Sequence, residues 1–564
     1  MVTINRSKVY LYSYYHYLVK QEQAEYPFIG LQKMSDKPSG STSKIAKSAG
    51  SVSIAVMCSR VLGLVREQIF ANLFGAGYAY DAFVVAFRIP NLLRDLFGEG
   101  ALSAAFVTVF TDYDTNKGKQ ATLELAGNVL VSMTLLLSCI TLAGIYFTEP
   151  IVSLLAPDFG LVEGKQQLTV YMTMIMFPFL IFVSISAVVM GILNTKGKFF
   201  IPALSSSFFN LGSIIGGTSL ALLFQKLGKP AIAGMAWGTL IGGMLQLLMQ
   251  LPTLRATGFR FLPNFKLRDP GLKKIALLMV PAIIGLSATQ INIFVNTYFA
   301  SSCEQGSVSW LNYSFRLVQL PIGVFGVALS IAAMPVLARF AALKDFNGLQ
   351  KTFSTSLIMV FCLTIPATAG LILLAQPIIG LIFEHGAFTP FDTARTAEAL
   401  RCYAYGLFAY SAIKVTVPAF YALGRTKYPV IASFMAVTLN IVIISQLIDT
   451  LSYRVIPLST SAVMTINFFF LTFILYRKLP GFRILPLFIG IIKILAATMM
   501  MTMVLIPLTE LCAELIVGNI FARMCGVFFL IGAGGGFYAI TLYFLKVKEF
   551  DNIIAKVVQK LRKS

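Results

Sequence analysis

Long runs of apolar residues follow one another along almost the whole chain, from residue 52 to residue 545. Each run is close to the roughly 20 residues that an α-helix needs to cross a lipid bilayer. Short polar segments separate the runs, and the pattern predicts about fourteen spans. The sequence therefore predicts an all-α polytopic membrane protein.

The charges of the connecting loops alternate along the chain. Lysine and arginine collect in every second loop, for example at Lys196 and Lys198 and in the segment 255–274, whereas the loops between them carry acids such as Glu149 and Asp158. Lys226 and Lys229 are an exception, since they lie in one of the other loops. Loops on the cytoplasmic side of a membrane carry the excess of lysine and arginine. Because an even number of spans puts both termini on the side of these basic loops, we expect both termini in the cytoplasm.

The composition restricts the chemistry of the protein. Of 564 residues, 57% are hydrophobic and 12% are charged, and the mean hydropathy is +0.79, whereas roughly a quarter of a soluble domain is charged. The formal charge of +21 lies largely in short loops and at the C-terminus, which favours lipid headgroups over nucleic acid as its partner. Seven cysteines without a C-x-x-C pair, two histidines and the lack of a phosphate-binding loop predict neither a metal site nor a cofactor.

The N-terminal segment is polar and rich in tyrosine, and it lacks the pattern of a secretory signal. We expect residues 1–45 to form a disordered tail. Met34 opens a Ser/Lys/Gly stretch that leads into the first apolar run, so the sequence leaves Met1 and Met34 open as the start of translation.

The chain matches itself when it is shifted by about 228 residues. The matched pairs are Phe87-Arg88 with Phe315-Arg316, Phe97-Gly98 with Phe325-Gly326, and ALSAA from Ala101 with ALSIAA from Ala328. Many transporters are built from structural repeats, with the substrate between them. We therefore predict two pseudo-symmetric halves, related by an axis along the membrane normal because an even number of helices separates the copies.

Ionisable residues crowd the first two spans, where a simple membrane anchor would be apolar. They are Arg60, Arg66, Glu67, Asp81, Arg88, Arg94, Asp95 and Glu99. Each charge costs about 2.5–3.5 kcal/mol at the centre of a bilayer, so these residues cannot all face lipid. Ser59 and Arg66 are seven residues apart, as are Arg60 and Glu67, and residues two helical turns apart share a face. We predict that this face lines a water-filled cavity.

Arginine suits a diphosphate ligand in such a cavity, because its planar guanidinium donates paired hydrogen bonds to phosphate oxygens and keeps its charge. A cationic substrate would require acidic walls instead. Arg316, the repeat partner of Arg88, adds a cation from the second half. The alternative is that each arginine pairs with a neighbouring acid or extends to a lipid headgroup, and Arg88 has Asp81 and Asp95 nearby.

Residues 59–110, SRVLGLVREQIFANLFGAG…DAFVVAFRIPNLLRDLFGEGALSAAFVTVF, closely resemble the MurJ (MviN) family of lipid II flippases, in the multidrug/oligosaccharidyl-lipid/polysaccharide exporter superfamily. The resemblance continues through GILNTKGKFFIPA, GSVSWLNYSFRL and PAFYALGRTKYP and covers nearly everything after residue 45. It implies two six-helix lobes with two further C-terminal helices. It also implies a central cationic cavity with alternating access across a bacterial inner membrane.

The resemblance also implies boundaries, a substrate and site residues. The N-lobe, the C-lobe, the C-terminal helix pair and a basic cytoplasmic tail would be residues 46–254, 255–480, 481–546 and 547–564. The substrate would be lipid II, the undecaprenyl diphosphate that carries the disaccharide-pentapeptide unit of peptidoglycan, and the C-terminal pair would hold its polyprenyl tail. The expected substrate-binding residues are Arg60, Arg66, Arg94, Arg316 and Ser59, and the expected supporting cavity charges are Glu67, Asp81, Arg88 and Glu99.

Two positions depart from the family pattern. Glu67 stands where an aspartate is expected, which keeps the charge on a longer side chain. Phe315 precedes Arg316 where many members have a polar or acidic residue, and this leaves the partner of Arg316 open.

Other functions stay open at the level of sequence. They are a flippase for another lipid-linked oligosaccharide, a drug exporter of the same fold, an enzyme acting on polyprenyl diphosphates, and a scaffold for cell-wall synthesis proteins. A drug exporter would require acidic cavity walls, an enzyme would require a catalytic carboxylate or histidine with a metal, and a scaffold would tolerate the loss of Arg94. The driving force would be the membrane potential or a coupled ion, and cell-wall synthesis proteins are the expected protein partners.

Overall fold

The computed structural model describes the backbone of residues 40–479 and 484–547. These residues form α-helices joined by turns and by short 3-10 and π segments. The chain divides into two compact units, residues 1–54 and 55–564, and the site described below lies within the second unit. The side chain of Glu99 and residues 1–39, including Met34, lie outside the described residues, as do residues 548–564 of the predicted basic tail.

In the first half, the first helix is the longest and the last helix is the shortest. The helices are α1 (Gly40–Phe74), α2 (Tyr78–Arg94), α3 (Ala101–Asn116), α4 (Gly118–Tyr146), α5 (Thr148–Leu155), α6 (Lys165–Met176), α7 (Phe179–Thr195), α8 (Phe200–Lys226), α9 (Ala231–Leu248) and α10 (Leu251–Ala256). Helix α1 begins inside the segment that we predicted as a tail, so that prediction was wrong for residues 40–45. No proline stands between Gly40 and the first apolar run, so nothing there forces the helix to end.

The second half repeats this order, and two longer helices follow it. The elements are α11 (Pro270–Ser301), α12 (Ser307–Pro321), α13 (Ala328–Ala342), α14 (Phe346–Leu373), α15 (Ala375–Phe383), α16 (Pro390–Ala404), α17 (Leu407–Ala422), α18 (Lys427–Leu451), α19 (Val455–Lys478), α20 (Leu485–Leu511), α21 (Ala513–Val517) and α22 (Ile520–Phe544). Side-chain caps fix several N-termini, since Asp269 accepts hydrogen bonds from the backbone of α11 and Thr389 forms a capping box with Asp392 in α16.

Two π segments interrupt the helices at equivalent positions of the two halves. Asp95–Gly100 joins α2 to α3, and Ile322–Val327 joins α12 to α13. Each contains one copy of the Phe-Gly pair that recurs in the sequence. Because π turns are rare and often occur at functional sites, their repetition supports the internal repeat and points to the helices that carry them. The division into an N-lobe (46–254), a C-lobe (255–480) and a C-terminal pair (481–546) stays a prediction.

Ten segments of the described residues are long and apolar enough to cross a membrane. One of them, Lys427–Lys478, contains both α18 and α19, and another, Lys165–Thr195, contains both α6 and α7. The chain is therefore an all-helical, multi-pass membrane protein, although the predicted number of about fourteen spans is not confirmed.

Helix α11 packs against both halves. Near its N-terminus, Ile275 and Met279 belong to a hydrophobic core with α3, α4 and α7. Near its C-terminus, Asn296 accepts a hydrogen bond from Asn440 of α18 (2.7 Å) and donates one to Thr460 of α19 (3.3 Å). A relative movement of the two halves therefore has to move or bend this helix.

Helices α8 and α9 approach each other closely because both are glycine-rich. A Cβ atom added at Gly238 would lie 2.4 Å from the Cα of Gly217, a distance that no side chain tolerates without backbone movement. Small residues permit such packing between helices in lipid.

We expect Gly238→Ile to separate α8 from α9 and to lower the free energy of unfolding by about 3 kcal/mol, because overpacking of a tight core has this cost. The measurement is thermal unfolding of the detergent-purified protein. Gly536→Ile is the matched control, since a Cβ atom there would meet nothing within 4 Å. Equal melting temperatures for the two variants would contradict the close packing.

Candidate functional site

The carboxylate of Glu67 lies between arginines from the two halves of the protein. The Nη2 atom of Arg66, in α1, is 3.0 Å from Glu67 Oε1, and the Nη2 atom of Arg316, in α12, is 2.7 Å from the same oxygen. The other carboxylate oxygen accepts a hydrogen bond from the hydroxyl of Tyr80. Glu67 is buried, whereas the side chain of Arg316 is 35% exposed. Arg316 is therefore the accessible cation of this cluster, and its acidic partner is Glu67.

Aromatic and amide side chains hold the cluster in place. The Tyr80 ring stacks on that of Tyr313 with centroids 4.6 Å apart, and Asn312 Nδ2 donates a hydrogen bond of 3.0 Å to the Tyr80 hydroxyl. The guanidinium of Arg66 lies 5.3 Å from the ring centroid of Phe209, within the range of a cation–π contact. Tyr80 and Asn312 were not predicted as site residues, because the prediction rested on charged residues within the spans and neither of them carries a charge. The available signal was their position beside Asp81 and one turn before Arg316.

The other predicted binding residues make contacts of their own, apart from this cluster. The guanidinium of Arg60 lies against Gly323 in the second π segment, where an added Cβ atom would be 2.7 Å from Nη1. Arg94 pairs with Asp95 at 2.8 Å, and Asp95 also accepts a hydrogen bond of 3.0 Å from Gln290 of α11. The backbone carbonyl of Ser59 accepts a hydrogen bond from Asn210 (3.1 Å).

Arg88 pairs with neither of the acids that the sequence offered. Its Nη2 atom is 3.5 Å from Asn312 Oδ1, and within the described ranges no carboxylate forms an ion pair with it. Its buried Nε atom has no hydrogen-bond partner among the described residues. The alternative that Arg88 is neutralised by Asp81 or Asp95 is therefore wrong.

Asp81 forms its ion pair with Lys165 and not with Arg88, which the sequence placed near it. Its carboxylate is 1% exposed and accepts from Lys165 Nζ, from the backbone N–H of Gly306 and from that of Ser309, each at 2.9 Å. Gly306, at φ 100°, stands at the N-cap of α12. Asp81 therefore caps a helix of the other half. The seven-residue interval to Arg88 could not reveal this, because the partners come from distant parts of the chain.

Further contacts join the two halves near this cap. Tyr313 donates a hydrogen bond to the carbonyl of Gly75 (3.1 Å), and the backbone N–H of Ala387 donates one to the carbonyl of Asn72 (2.9 Å). With Asp81 they form a continuous closure, which we call the outer contact because the predicted topology puts it on the periplasmic side. The Glu67 cluster lies on the inner side of the outer contact.

The chemistry of the cluster favours binding of an anion. Arg60, Arg66, Arg88 and Arg316 come from three helices, α1, α2 and α12, and only Glu67 neutralises any of them in the described part of the chain. The same part contains no group of three or more histidine, cysteine, aspartate or glutamate residues placed to hold a metal ion. An anion with several oxygens could take the place of Glu67 as the partner of Arg66 and Arg316.

Comparison with known proteins gives consistent similarities over most of the chain. The sequence profile of the family described as "Lipid II flippase MurJ" matches residues 70–526. A "Probable lipid II flippase MurJ" of Buchnera aphidicola subsp. Schizaphis graminum is 32% identical over 92% of this chain and 99% of its own length. The "Probable lipid II flippase MurJ" of Vibrio cholerae is 37% identical over 71% of this chain and 77% of its own.

Solved structures give the same result at the level of fold. A structure described as "Lipid II flippase MurJ, inward closed conformation" superposes with a TM-score of 0.72 at 29% identity, covering 88% of this chain and 99% of the other. An inward-facing multidrug resistance MATE family transporter of the MOP superfamily superposes with a TM-score of 0.65, covering 77% of this chain and 98% of its own. At 15% identity the latter similarity concerns the fold alone.

Proposed function

The chain belongs to the MurJ family of lipid II flippases, and we propose that it moves lipid II from the cytoplasmic to the periplasmic leaflet by alternating access. The observation that carries the proposal is the convergence of Arg66 and Arg316 on Glu67. These arginines come from the two halves, so an anion bound between them contacts both halves at once. Arg60, Arg94 and the backbone at Ser59 complete the proposed binding set, and Arg88 and the charged side chain of Glu99 support it.

The diphosphate of lipid II would compete with Glu67 for the guanidinium groups. Charge-assisted, paired hydrogen bonds from arginine to phosphate are among the strongest that a protein makes. Glu67 stabilises the cations while the site is empty, since unpaired buried charges are costly. When the diphosphate binds, it shares the guanidinium groups of Arg66 and Arg316 with Glu67, so substrate binding changes the contacts between the two halves.

Transport then requires the site to open first towards the cytoplasm and then towards the periplasm. In the described state the outer contact at Asp81 is made, which fits a protein waiting for substrate from the cytoplasmic side. We propose that the lobes, residues 46–254 and 255–480, move relative to each other and that α11 follows them, breaking the outer contact and releasing the headgroup outward.

The setting of the protein follows from the same proposal. It would lie in the inner membrane of a bacterium with both termini in the cytoplasm, act as a transporter and not as an enzyme, require no cofactor and bind no nucleic acid. Lipid II, membrane lipids and cell-wall synthesis proteins would be its partners. The driving force would be a coupled ion or the membrane potential, which contributes about 2.3 kcal/mol per charge per 100 mV to moving an anion outward.

Replacement of the lipid II flippase of a bacterium by this chain tests the function. We expect growth without lysis and lipid II that is accessible at the cell surface, because the chain supplies the missing translocation step. Expression in the membrane is checked by immunoblot, and the empty vector is the control. A well-expressed chain that fails to restore surface lipid II would contradict the proposal and would favour another lipid-linked oligosaccharide. Growth without flipping would favour a scaffold.

A further inference from the structure

An apolar cavity of about 530 Å³ lies beside the Glu67 cluster, within the range of roughly 300–1,000 Å³ typical of ligand pockets. Helices α2, α4, α5 and α11 form most of its wall, and only Arg88 and Thr297 contribute polar side chains to it. On α4 the lining residues are Ile140, Ala143 and Gly144, the spacing of one helix face, and Phe147 follows directly after the helix. Ala143 and Phe147 are exposed, so the cavity opens on the surface that faces lipid.

Arg88 connects this cavity with the cation cluster. Its side chain lines the cavity, and its guanidinium reaches Asn312, which in turn donates to the hydroxyl of Tyr80 beside Glu67. The buried Nε atom of Arg88 has no hydrogen-bond partner among the described residues. A cation that lacks an acid therefore stands at one end of a cavity, and lipid lies at the other.

This arrangement fits one class of ligand. An amphiphile with an anionic head and a long apolar chain would place its head at the arginines and its chain along the cavity, with the far end of the chain in the membrane. A free phosphate would leave the apolar wall unoccupied, and a neutral lipid would leave Arg88 unpaired. Only a ligand with both an anionic head and an apolar chain pairs with Arg88 and also covers the apolar wall.

We propose that the cavity receives the part of the polyprenyl chain next to the diphosphate of the transported lipid and that Arg88 contacts the diphosphate at its mouth. This inference rests on the proposed function and adds the path of the chain. By the predicted topology the cavity lies towards the periplasmic side of the membrane, so it serves the stage at which the headgroup has passed the centre of the protein.

The wall supplied by α11 makes occupancy depend on conformation. Ile293, Phe294 and Thr297 of α11 face the first half across the cavity, and the same helix is bonded to the second half through Asn296. Movement between the halves therefore widens or narrows the cavity. A chain in the cavity therefore follows the movement of the lobes.

Site-specific photo-crosslinking tests the path. The full-length protein carries p-benzoylphenylalanine at position 143, at the mouth of the cavity, or at position 142, where Leu142 is 67% exposed and faces lipid. We expect radiolabelled polyprenyl-diphosphate lipid to crosslink about tenfold more at 143 than at 142, since a pocket discriminates by this order. Arg88→Ala should remove the preference. A phospholipid of the same label should crosslink equally at both positions.

Equal crosslinking of the diphosphate lipid at 142 and 143 would overturn the inference, as would a phospholipid preference for 143, which would make the cavity an ordinary lipid site. A third variant carries the probe at position 499 in α20, where Met499 is 61% exposed. Crosslinking of the diphosphate lipid at 499 alone would place the chain on the C-terminal pair instead. These outcomes leave the function standing, because transport by the unmodified chain is measured separately.

A plugged variant gives an independent measure. Ala143→Trp should fill the mouth of the cavity and slow lipid II translocation about tenfold, whereas Leu142→Trp should leave the rate within about twofold of the parent. Both variants are first compared with the parent in thermal stability. Equal rates for the two variants at equal stability would overturn the inference, and an inactive parent would instead overturn the proposed function.

Discussion

Replacement of Arg316 by alanine is expected to abolish lipid II flipping in cells. Arg316 is the cation of the second half that meets Glu67, and its side chain is the accessible one of the pair. Without it, a diphosphate contacts arginines of the first half alone and no longer links the two halves. We expect the translocation rate to fall about 100-fold, equivalent to about 2.7 kcal/mol, because the change removes one partner of a charge pair whose other member, Glu67, is buried.

Arg316→Lys separates charge from geometry. Lysine keeps the positive charge but lacks the planar fork, so we expect partial activity between the parent and the alanine variant. Arg339→Ala is the matched control, because Arg339 is an exposed cation in the last turn of α13. Surface-accessible lipid II and the amount of protein in the membrane are measured for each strain. Full activity of a well-expressed Arg316→Ala variant would exclude the Glu67 cluster as the binding site.

Loss of Asp81 is expected to open the outer contact and to destabilise the protein. Asp81→Ala removes the cap of α12 and leaves Lys165 buried without its acid, with a side chain only 4% exposed. Breaking a buried ion pair by removing one partner costs about 3–5 kcal/mol. We expect a lower melting temperature and, for Ser307→Cys in a cysteine-free background, labelling by a membrane-impermeant maleimide about tenfold faster than with Asp81 present.

Lys165→Met added to Asp81→Ala separates the cost of an unpaired buried charge from the opening of the outer contact. The double variant has no unpaired charge, so its melting temperature should recover towards that of the parent. Its labelling should stay fast, because the contacts from Asp81 to Gly306 and Ser309 are still missing. Slow labelling in both variants would show that Asp81 does not hold the halves together.

Several features of the fold were predictable because they depend on local sequence. Apolar runs predicted a polytopic helical protein, and the offset of about 228 residues predicted the repeat that the two π segments display. The number of spans was less predictable. One of the ten apolar segments of the described residues, Lys427–Lys478, contains the two helices α18 and α19, and the charged helices α1 and α2 are not among the ten.

The site was predictable in its charges and not in its contacts. Intramembrane arginines stand out in a sequence because lipid excludes them. Which acid they meet depends on helix packing. The ion pair of Arg316 with Glu67, and the lack of an acid at Arg88 among the described residues, therefore became visible only in the structure. Tyr80 and Asn312 carry no charge, and no periodicity distinguishes them from other polar residues. The cavity at Arg88 is formed by four helices, and no single segment encodes it.

Reconstitution of the purified full-length protein in liposomes measures whether the chain alone transports lipid II. Fluorescent lipid II is placed in one leaflet, and its appearance in the other is followed with a membrane-impermeant quencher. We expect the parent to move lipid II across the membrane and the Arg316→Ala variant, reconstituted in equal amount, not to do so. Failure of the parent to move lipid II, or equal transport by both proteins, would contradict lipid II transport through the Glu67 cluster.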